Sequence, residues 1–312
     1  MSAFETIMDN AQQPKTGSST GLMGSERANH ASPSPTAPLS VIILSFNEET
    51  NLPACLDSLD GLRCSVFVLD SFSTDKTPQI AQARGVSFHQ HAFENYAVQR
   101  NWSQRNLPIL TPWMLHLDAD ERLTPELVSE INSLMENPPP NIDGYLFRKR
   151  TIFMGKWIRH GGHYPSYHLR LFRLGSGRCE DRLYDQHFIV DGPVKRLHND
   201  YLDIVASSLS NWTLRHARWA QMEAREMLAT RGNGRQVEPD FMGTPIERRR
   251  WLRNSYGRGP LFVRAFLYGC YRYFFRLGFL DGKEGLIFHL LQGFWFRFLV
   301  DSLIFEQART RE

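Results

Sequence analysis

Three groups of oxygen-bearing side chains stand out, each directly after a short apolar run. Asp118-Ala119-Asp120 follows Met114–Leu117, Asp70-Ser71-Phe72-Ser73-Thr74-Asp75 follows Val66–Leu69, and Ser45-Phe46-Asn47-Glu48-Glu49 follows Leu39–Leu44. Two carboxylates at i and i+2 beyond a strand can aim at one small hard cation. Mg²⁺ or Mn²⁺ takes oxygen ligands and commonly bridges such carboxylates to substrate phosphates. A cation held there would neutralise charge on a leaving diphosphate. Taken alone, the Asp118–Asp120 triplet reads more simply as a solvated acidic turn ahead of the next helix. Its company after two other apolar runs reverses that preference.

For these groups to meet, three strands must end on one edge. Leu39–Leu44 is apolar at every position but Ser40, a near-continuous run such as a strand buried on both faces of a parallel sheet shows. Val66–Leu69, Val86–His89 and Trp113–Leu117 read as three more strands. Between them lie helical patterns. Leu52, Cys55, Leu56 and Leu59 share a face of Asn51–Leu59. A second helix opens at Thr74 or Asp75, carries Pro78 in its first turn and stops at Gly85. Glu94–Gln104 can form a third, and Thr124 caps a fourth with Pro125 and Glu126 behind it. Such alternation predicts a doubly wound α/β sheet, and ligands of such sheets bind beyond the carboxyl ends of the strands. Neither G-x-G-x-x-G nor G-x-x-x-x-G-K-[ST] occurs in this region, so a nucleotide would be held by carboxylates, amides and a metal.

The 312 residues suffice for one large or two ordinary domains, and 42% apolar with 22% charged residues is a globular balance. A net charge of +3, with no basic run interleaved with aromatics, argues against nucleic acid as a partner. Cys55, Cys64, Cys179 and Cys270 form no C-x-x-C pair, which disfavours a structural zinc or disulfide framework and suits a reducing, cytoplasmic setting. Residues 1–38, rich in Ser, Pro, Gly, Ala and Gln, read as a disordered tail without the apolar segment of a secretory signal. The other end is basic: residues 247–312 hold twelve Lys and Arg against six Asp and Glu.

In order and spacing the three acidic groups resemble glycosyltransferase family 2 over about Leu39–Arg150. The segments Gly155-Lys156-Trp157-Ile158-Arg159-His160-Gly161-Gly162 and Arg170-Leu171-Phe172-Arg173 resemble a narrower branch, to roughly Leu197. That branch contains the bacterial lipopolysaccharide-core glucosyltransferases. The resemblance implies a GT-A, Rossmann-like fold with a mixed, mostly parallel sheet, a nucleotide-diphosphate sugar donor, Mg²⁺ or Mn²⁺, and inversion at the anomeric carbon. It implies donor contacts from Ser45, Asn47, Glu48, Asp70, Arg100 and Asp118. Asp70 would accept from the base, which favours a UDP-sugar. Asp118 and Asp120 would serve the metal, Asp120 directly, and Arg100, within Gln99-Arg100-Asn101, would pair with phosphates. An inverting transfer needs a base opposite the leaving group. Where relatives of the branch often read His-Glu, this chain has Asp185-Gln186, and Gln186 cannot act as a base. Asp185 is then the first candidate, with Asp181 and Glu180 behind it; a structural ion-pair network around Arg182 is the plainer alternative.

Trp157 could stack on an acceptor sugar, with His160 beside it in a loop made flexible by Gly161-Gly162. His160, His163, His168 and His187 do not match a zinc ligand set. The expected organisation is a tail over 1–38, a catalytic domain over 39–200 and a helical region over 201–312. Ala206–Thr230 reads as an amphipathic packing helix ending at Gly232. Leu261–Phe305 is aromatic and interrupted by Arg264, Arg272, Arg276 and Arg297, which suits helices lying in a membrane interface better than a spanning helix. These features together predict an enzyme peripheral on the inner face of the cytoplasmic membrane, acting on a glycan or lipid-linked glycan of the cell envelope. The competing readings are a metal-dependent nucleotidyl or phosphoryl transferase and a non-catalytic membrane adaptor.

Overall fold

The computed structural model describes residues 37–182, 185–205, 208–228 and 237–309. Nearly all of the expected tail, the stretch around Gly232, and Leu183–Tyr184 in the candidate base loop lie outside these. In chain order the elements are β1 (Leu39–Ser45), α1 (Leu52–Asp57), β2 (Cys64–Asp70), α2 (Thr77–Ala83), β3 (Ser87–Gln90), α3 (Tyr96–Asn106), β4 (Trp113–Asp118), β5 (Glu121–Leu123), α4 (Pro125–Glu136), β6 (Gly144–Phe153), β7 (Lys156–Ile158), β8 (Ser166–Arg173), β9 (Gly177–Cys179), β10 (Phe188–Val190) and β11 (Val194–Val205). Helices follow: α5 (Leu209–Leu228), α6 (Pro245–Gly257), α7 (Val263–Cys270), α8 (Gly282–Phe288) and α9 (Phe296–Arg309), with π-helical turns after α7 and between α8 and α9.

One mixed sheet carries nine strands in the order β3-β2-β1-β4-β8-β6-β11-β5, with β7 on β6. The first four are parallel to one another, and β8 enters antiparallel to β4. β1 is buried at every position because the sheet is covered on both sides. Leu39, Val41 and Ile43 pack with α1 and α4 through Leu52, Leu56, Leu127 and Ile131; Ile42 and Leu44 pack on the other side with Ala97 and Leu107. Period-two alternation puts those two sets on opposite faces, and both being apolar is what makes the run continuous.

Local chemistry sets the helix starts. The Asn95 side chain accepts from Val98 N at 2.9 Å to open α3, and the Thr124 hydroxyl accepts from Leu127 N at 3.3 Å to open α4. Thr244 and Glu247 form a reciprocal capping box on α6. The expected cap of α2 differs: Lys76 is the N-cap, and it makes no side-chain cap bond. Asp75 instead accepts from Thr77 N at 2.9 Å, while its other oxygen takes the Glu49 N–H at 3.0 Å. The acid thereby ties the loop after β1 to the loop after β2.

The helical region docks on the sheet through Ile246 of α6, which joins the cluster of Ile42, Leu44 and Phe172, and through a second apolar contact, while a third cluster ties its own helices together. Phe153 and Ile158 of the sheet meet Trp212 and Phe288, and Ala220 and Ala224 of α5 meet Phe296 and Val300 of α9. The helical run Gly278–Arg309 spans 32 residues, and its most apolar 18-residue stretch has a mean hydropathy of 1.3, long and apolar enough to cross a membrane by length and composition alone; 33% of that stretch is buried in the molecule.

Candidate active site

Parallel register brings the three acidic groups together. Ser45 pairs with Asp70 across β1–β2, and Leu44 pairs with Asp118 across β1–β4, so the chain leaves all three strands at one rim. A cavity of about 420 Å³ opens there. Its walls include Ser45, Glu48, Arg100, Asp118, Asp120 and Asp185 from the residues singled out in the sequence.

Asp118 and Asp120, two positions apart, have opposite surroundings. Arg100 donates to both Asp118 oxygens at 3.0 and 3.1 Å, and Arg170 donates at 3.3 Å while also pairing with Glu121. Burial opposes ionisation of Asp118, but Arg100 and Arg170 outweigh it and hold the carboxyl far below the usual range. Arg100, nearly buried between the rings of Tyr96 and Phe188, is thus committed to Asp118. Asp120 makes no ion pair among the described residues. Burial, and then the neighbouring acids Asp203, Asp118, Glu48 and Glu121, push its carboxyl well above the usual value. This local surplus of negative charge is what a divalent cation would neutralise, so the donor set fits a hard cation. Among the described residues no group of three or more His, Cys, Asp or Glu side chains could hold a metal unaided. Mg²⁺ and Mn²⁺ commonly complete their shells with water and substrate phosphate.

Asp70 and Asn47 sit behind the cavity wall. Asp70 is completely buried; it accepts from Ser45 Oγ at 3.1 Å, Ser73 N at 2.8 Å and Gln90 Nε2 at 3.2 Å. Asn47, at φ +54°, accepts the Thr74 N–H at 2.8 Å, and its own N–H goes to Ser73 Oγ. Glu48 faces the cavity; burial raises its carboxyl against the 2.8 Å hydrogen bond from Asn51.

Asp185 lines the same cavity, next to Gln186 and His187. Arg253 and Arg250 pair with it, and His187 lies 3.6 Å away. Burial would raise its carboxyl, but His187, Arg253 and Arg250 hold it well below the usual range. Glu180 is fully buried against Arg250, and Asp181 is exposed and off the cavity wall. Gln186 donates to the Arg182 carbonyl at 2.7 Å.

Trp157 and His160 do not line the cavity. Trp157 lies under Arg150 and Arg159 and edge-on to Tyr164. His160 donates its backbone N–H to Asp281 at 2.9 Å, and its Nδ1 lies 2.6 Å from the same carboxylate. The glycine pair beside it is a close approach and not a free loop. At Gly161, with φ +67°, a Cβ would lie 2.0 Å from the His289 ring.

The structure adds wall residues that motif reading passes over. Lys149 and Asp203, paired at 2.7 Å, come from β6 and β11. From α5, read in the sequence as a plain packing helix, Arg215, His216, Trp219 and Met222 face the cavity. Arg215 lies over the Trp219 ring, and its buried Nε has no hydrogen-bond partner. An Arg and a Trp four apart on one helix face were visible in the sequence, but nothing there pointed that face at the strand rim.

Residues 40–193, about half of the chain, match the family model Glycosyl transferase family 2. The chain therefore carries a glycosyl transferase family 2 domain, and its α/β sheet with a C-terminal helical region is of the GT-A type. Over 152 residues it is 31% identical to the lipopolysaccharide core biosynthesis glycosyltransferase LpsC of Rhizobium meliloti (strain 1021), covering 47% of this chain and 54% of that protein. Over 111 residues it is 32% identical to an uncharacterized glycosyltransferase of Rickettsia bellii (strain RML369-C), covering 36% of each. The chain thus spans about half the length of the first curated relative and about a third of the second. Among solved structures, S. aureus TarS 1-349 aligns over 88% of this chain and 92% of that one, at 13% identity and a TM-score of 0.43.

Proposed function

We propose that this protein is an inverting glycosyltransferase. It moves a sugar from a nucleotide-diphosphate donor, a UDP-sugar in first place, to a glycan or lipid-linked glycan of cell-envelope polysaccharide or lipopolysaccharide. The observation that carries this reading is the split between Asp118 and Asp120 at the rim of three strands. One carboxylate is locked ionised by two arginines, and the other is left acid-surrounded without a cation.

In this reading the division is a catalytic domain over 39–200 and a helical region over 201–312. Asp120 would hold Mg²⁺ or Mn²⁺ with Asp118 beside it; when bound, the ion neutralises charge on the departing diphosphate. Arg100 and Arg170 keep Asp118 ionised and fixed in place. Glu48 and Ser45 line the nucleoside side. Asp70 and Asn47 hold the loops that shape it, with Asp70 reaching a base only if Ser73 or Gln90 gives way. Arg215 supplies a cation on the cavity wall. Asp185 takes the proton of the acceptor hydroxyl as that oxygen attacks the anomeric carbon. Its arginine partners keep it in the required ionised state but lower its affinity for the proton. The resemblance to LpsC and the apolar C-terminal helices support a place on the inner face of the cytoplasmic membrane.

The test is release of nucleotide diphosphate from a panel of UDP-, GDP-, ADP- and dTDP-sugars, with and without Mn²⁺. Mn²⁺-dependent release of UDP from one UDP-sugar is expected. Release of inorganic diphosphate, or no release from any donor, would contradict the proposal.

A further inference from the structure

The two antiparallel stretches 263–275 and 278–305 form a hairpin whose polarity is inverted relative to that of a water-soluble helix pair. Its charged side chains turn inward. Arg264 and Asp301, both buried, pair with Nε–Oδ1 at 2.8 Å; Arg272 donates to the Gly161 carbonyl at 2.7 Å; Asp281 holds His160; and Arg297 donates to Glu223 at 2.7 Å. Its large apolar side chains turn outward. Phe266, Phe274, Phe275, Leu280, Leu290 and Phe298 are all exposed, Phe275 at the tip to 78%. The arginines that interrupt the apolar sequence therefore do not interrupt the apolar surface. Among the described residues nothing covers this face, and exposed Arg276 and Lys283 flank its tip.

We propose that this face is immersed in the acyl region of one leaflet of a bilayer bearing anionic headgroups, with Arg276 and Lys283 at headgroup level. A protein partner is the weaker fit. Interfaces between soluble proteins mix polar with apolar area, whereas here Arg264, Arg272 and Asp301 are buried and Arg297, partly exposed, is turned to Glu223. Spanning is also the weaker fit, despite the length of Gly278–Arg309. α9 packs along α5, and the Arg297–Glu223 pair joins them; a full crossing would draw the charged face of α5 into hydrocarbon. Two cations at headgroup level beside the tip match the attraction of basic residues to anionic lipid surfaces, and the adjacent Glu284 is paired with Lys156.

The placement has a consequence for the cavity. Phe288 and Gln292, on the inner side of the same hairpin, line it, and so does His163, two residues from the glycine packed on His289. A lipid-linked acceptor would keep its chains in the leaflet while its sugar end met the donor one helix thickness away. This deepens the glycosyltransferase reading, yet the binding it concerns does not depend on catalysis.

The experiment is sedimentation of the full chain with vesicles of phosphatidylethanolamine and phosphatidylglycerol, compared with pure phosphatidylcholine. The wild type is expected to pellet with the anionic vesicles. Phe275→Glu combined with Leu280→Glu should lower the bound fraction at least about tenfold with an unchanged circular dichroism spectrum. Arg276→Glu with Lys283→Glu should abolish the preference for the anionic vesicles. A nitroxide at position 275 should gain protection from a water-soluble relaxant only when vesicles are present. Equal pelleting of the Phe275→Glu/Leu280→Glu variant, or a wild type that stays in the supernatant as a dimer which that variant dissociates, would overturn the proposal. Nucleotide-diphosphate release, followed in parallel, reports on the catalytic reading separately.

Discussion

The strand rim and the C-terminal hairpin handle charge in contrary ways. At the rim, three strand ends deliver more acids than the described residues neutralise: Arg100 and Arg170 pair with Asp118, Lys149 with Asp203, and among the described residues Asp120 has no ion pair. In the hairpin the buried charged side chains have polar partners, Arg264 with Asp301, Arg272 with the Gly161 carbonyl and Asp281 with His160, and many large apolar side chains face out. Unpaired charge inside a protein costs several kcal/mol. A fold that tolerates it in one place, while pairing charges with care in another, marks the first place as a binding site. The hairpin shows the complementary sign, since exposed apolar area costs free energy in water unless something else covers it.

Perturbing each side of this contrast should have effects of graded size. The largest is expected at the base. Asp185→Asn should lower kcat by about 10²–10⁴ with little change in donor KM, measured by nucleotide-diphosphate release with acceptor present. Next, Arg170→Ala strands Glu121 and half of the Asp118 clamp, and should cost about 3–5 kcal/mol in urea unfolding. A pH effect of similar size follows from the cavity histidines. Burial pushes His216 down to about 4 from an ordinary 6.5, and it lowers His163, His168 and His187 too. The folded chain keeps His216 neutral while the unfolded chain takes up a proton below about 6.5. Stability is therefore complete above that pH and is lost as pH falls from about 6.5 to about 4, with His216 alone contributing about 3 kcal/mol. Differential scanning calorimetry across that window should show Tm falling, and a His216→Gln variant should flatten the slope. The smallest effect is expected at the hairpin tip: Phe275→Ser should change unfolding free energy in detergent-free buffer by no more than about 0.5 kcal/mol, because the ring contributes little to folding.

Much of the parallel half of the sheet is legible, because strands such as β1 and β4, covered on both faces, are nearly continuous apolar runs, broken only by Ser40 and His116, with polar residues at their ends. The acidic groups were legible for the same reason, as the sequence places them immediately after those runs. What each acid does there was less so. The sequence points Arg100 toward phosphates; in the structure it closes on Asp118, and the antiparallel entry of β8 brings Arg170 to the same carboxylate, a clamp that motif reading does not show. The sequence points Trp157 and His160 toward an acceptor; in the structure both lie off the cavity wall, and His160 and Gly161 meet Asp281 and His289 of the hairpin, through contacts more than a hundred residues apart in sequence. The arginines of residues 261–305 marked amphipathic helices, but composition cannot say which side of a helix a charge occupies when its partners, such as Glu223, lie on another element.

The measurement closest to the central claim is calorimetric titration of UDP into wild type and Asp120→Asn, each with Mn²⁺ and with chelator. The account predicts that Mn²⁺ tightens UDP binding to the wild type by about tenfold or more. It predicts that the variant loses this difference while melting no lower, since removing an uncompensated acid relieves repulsion. An Asp120→Asn protein that binds UDP with undiminished dependence on Mn²⁺ would contradict it.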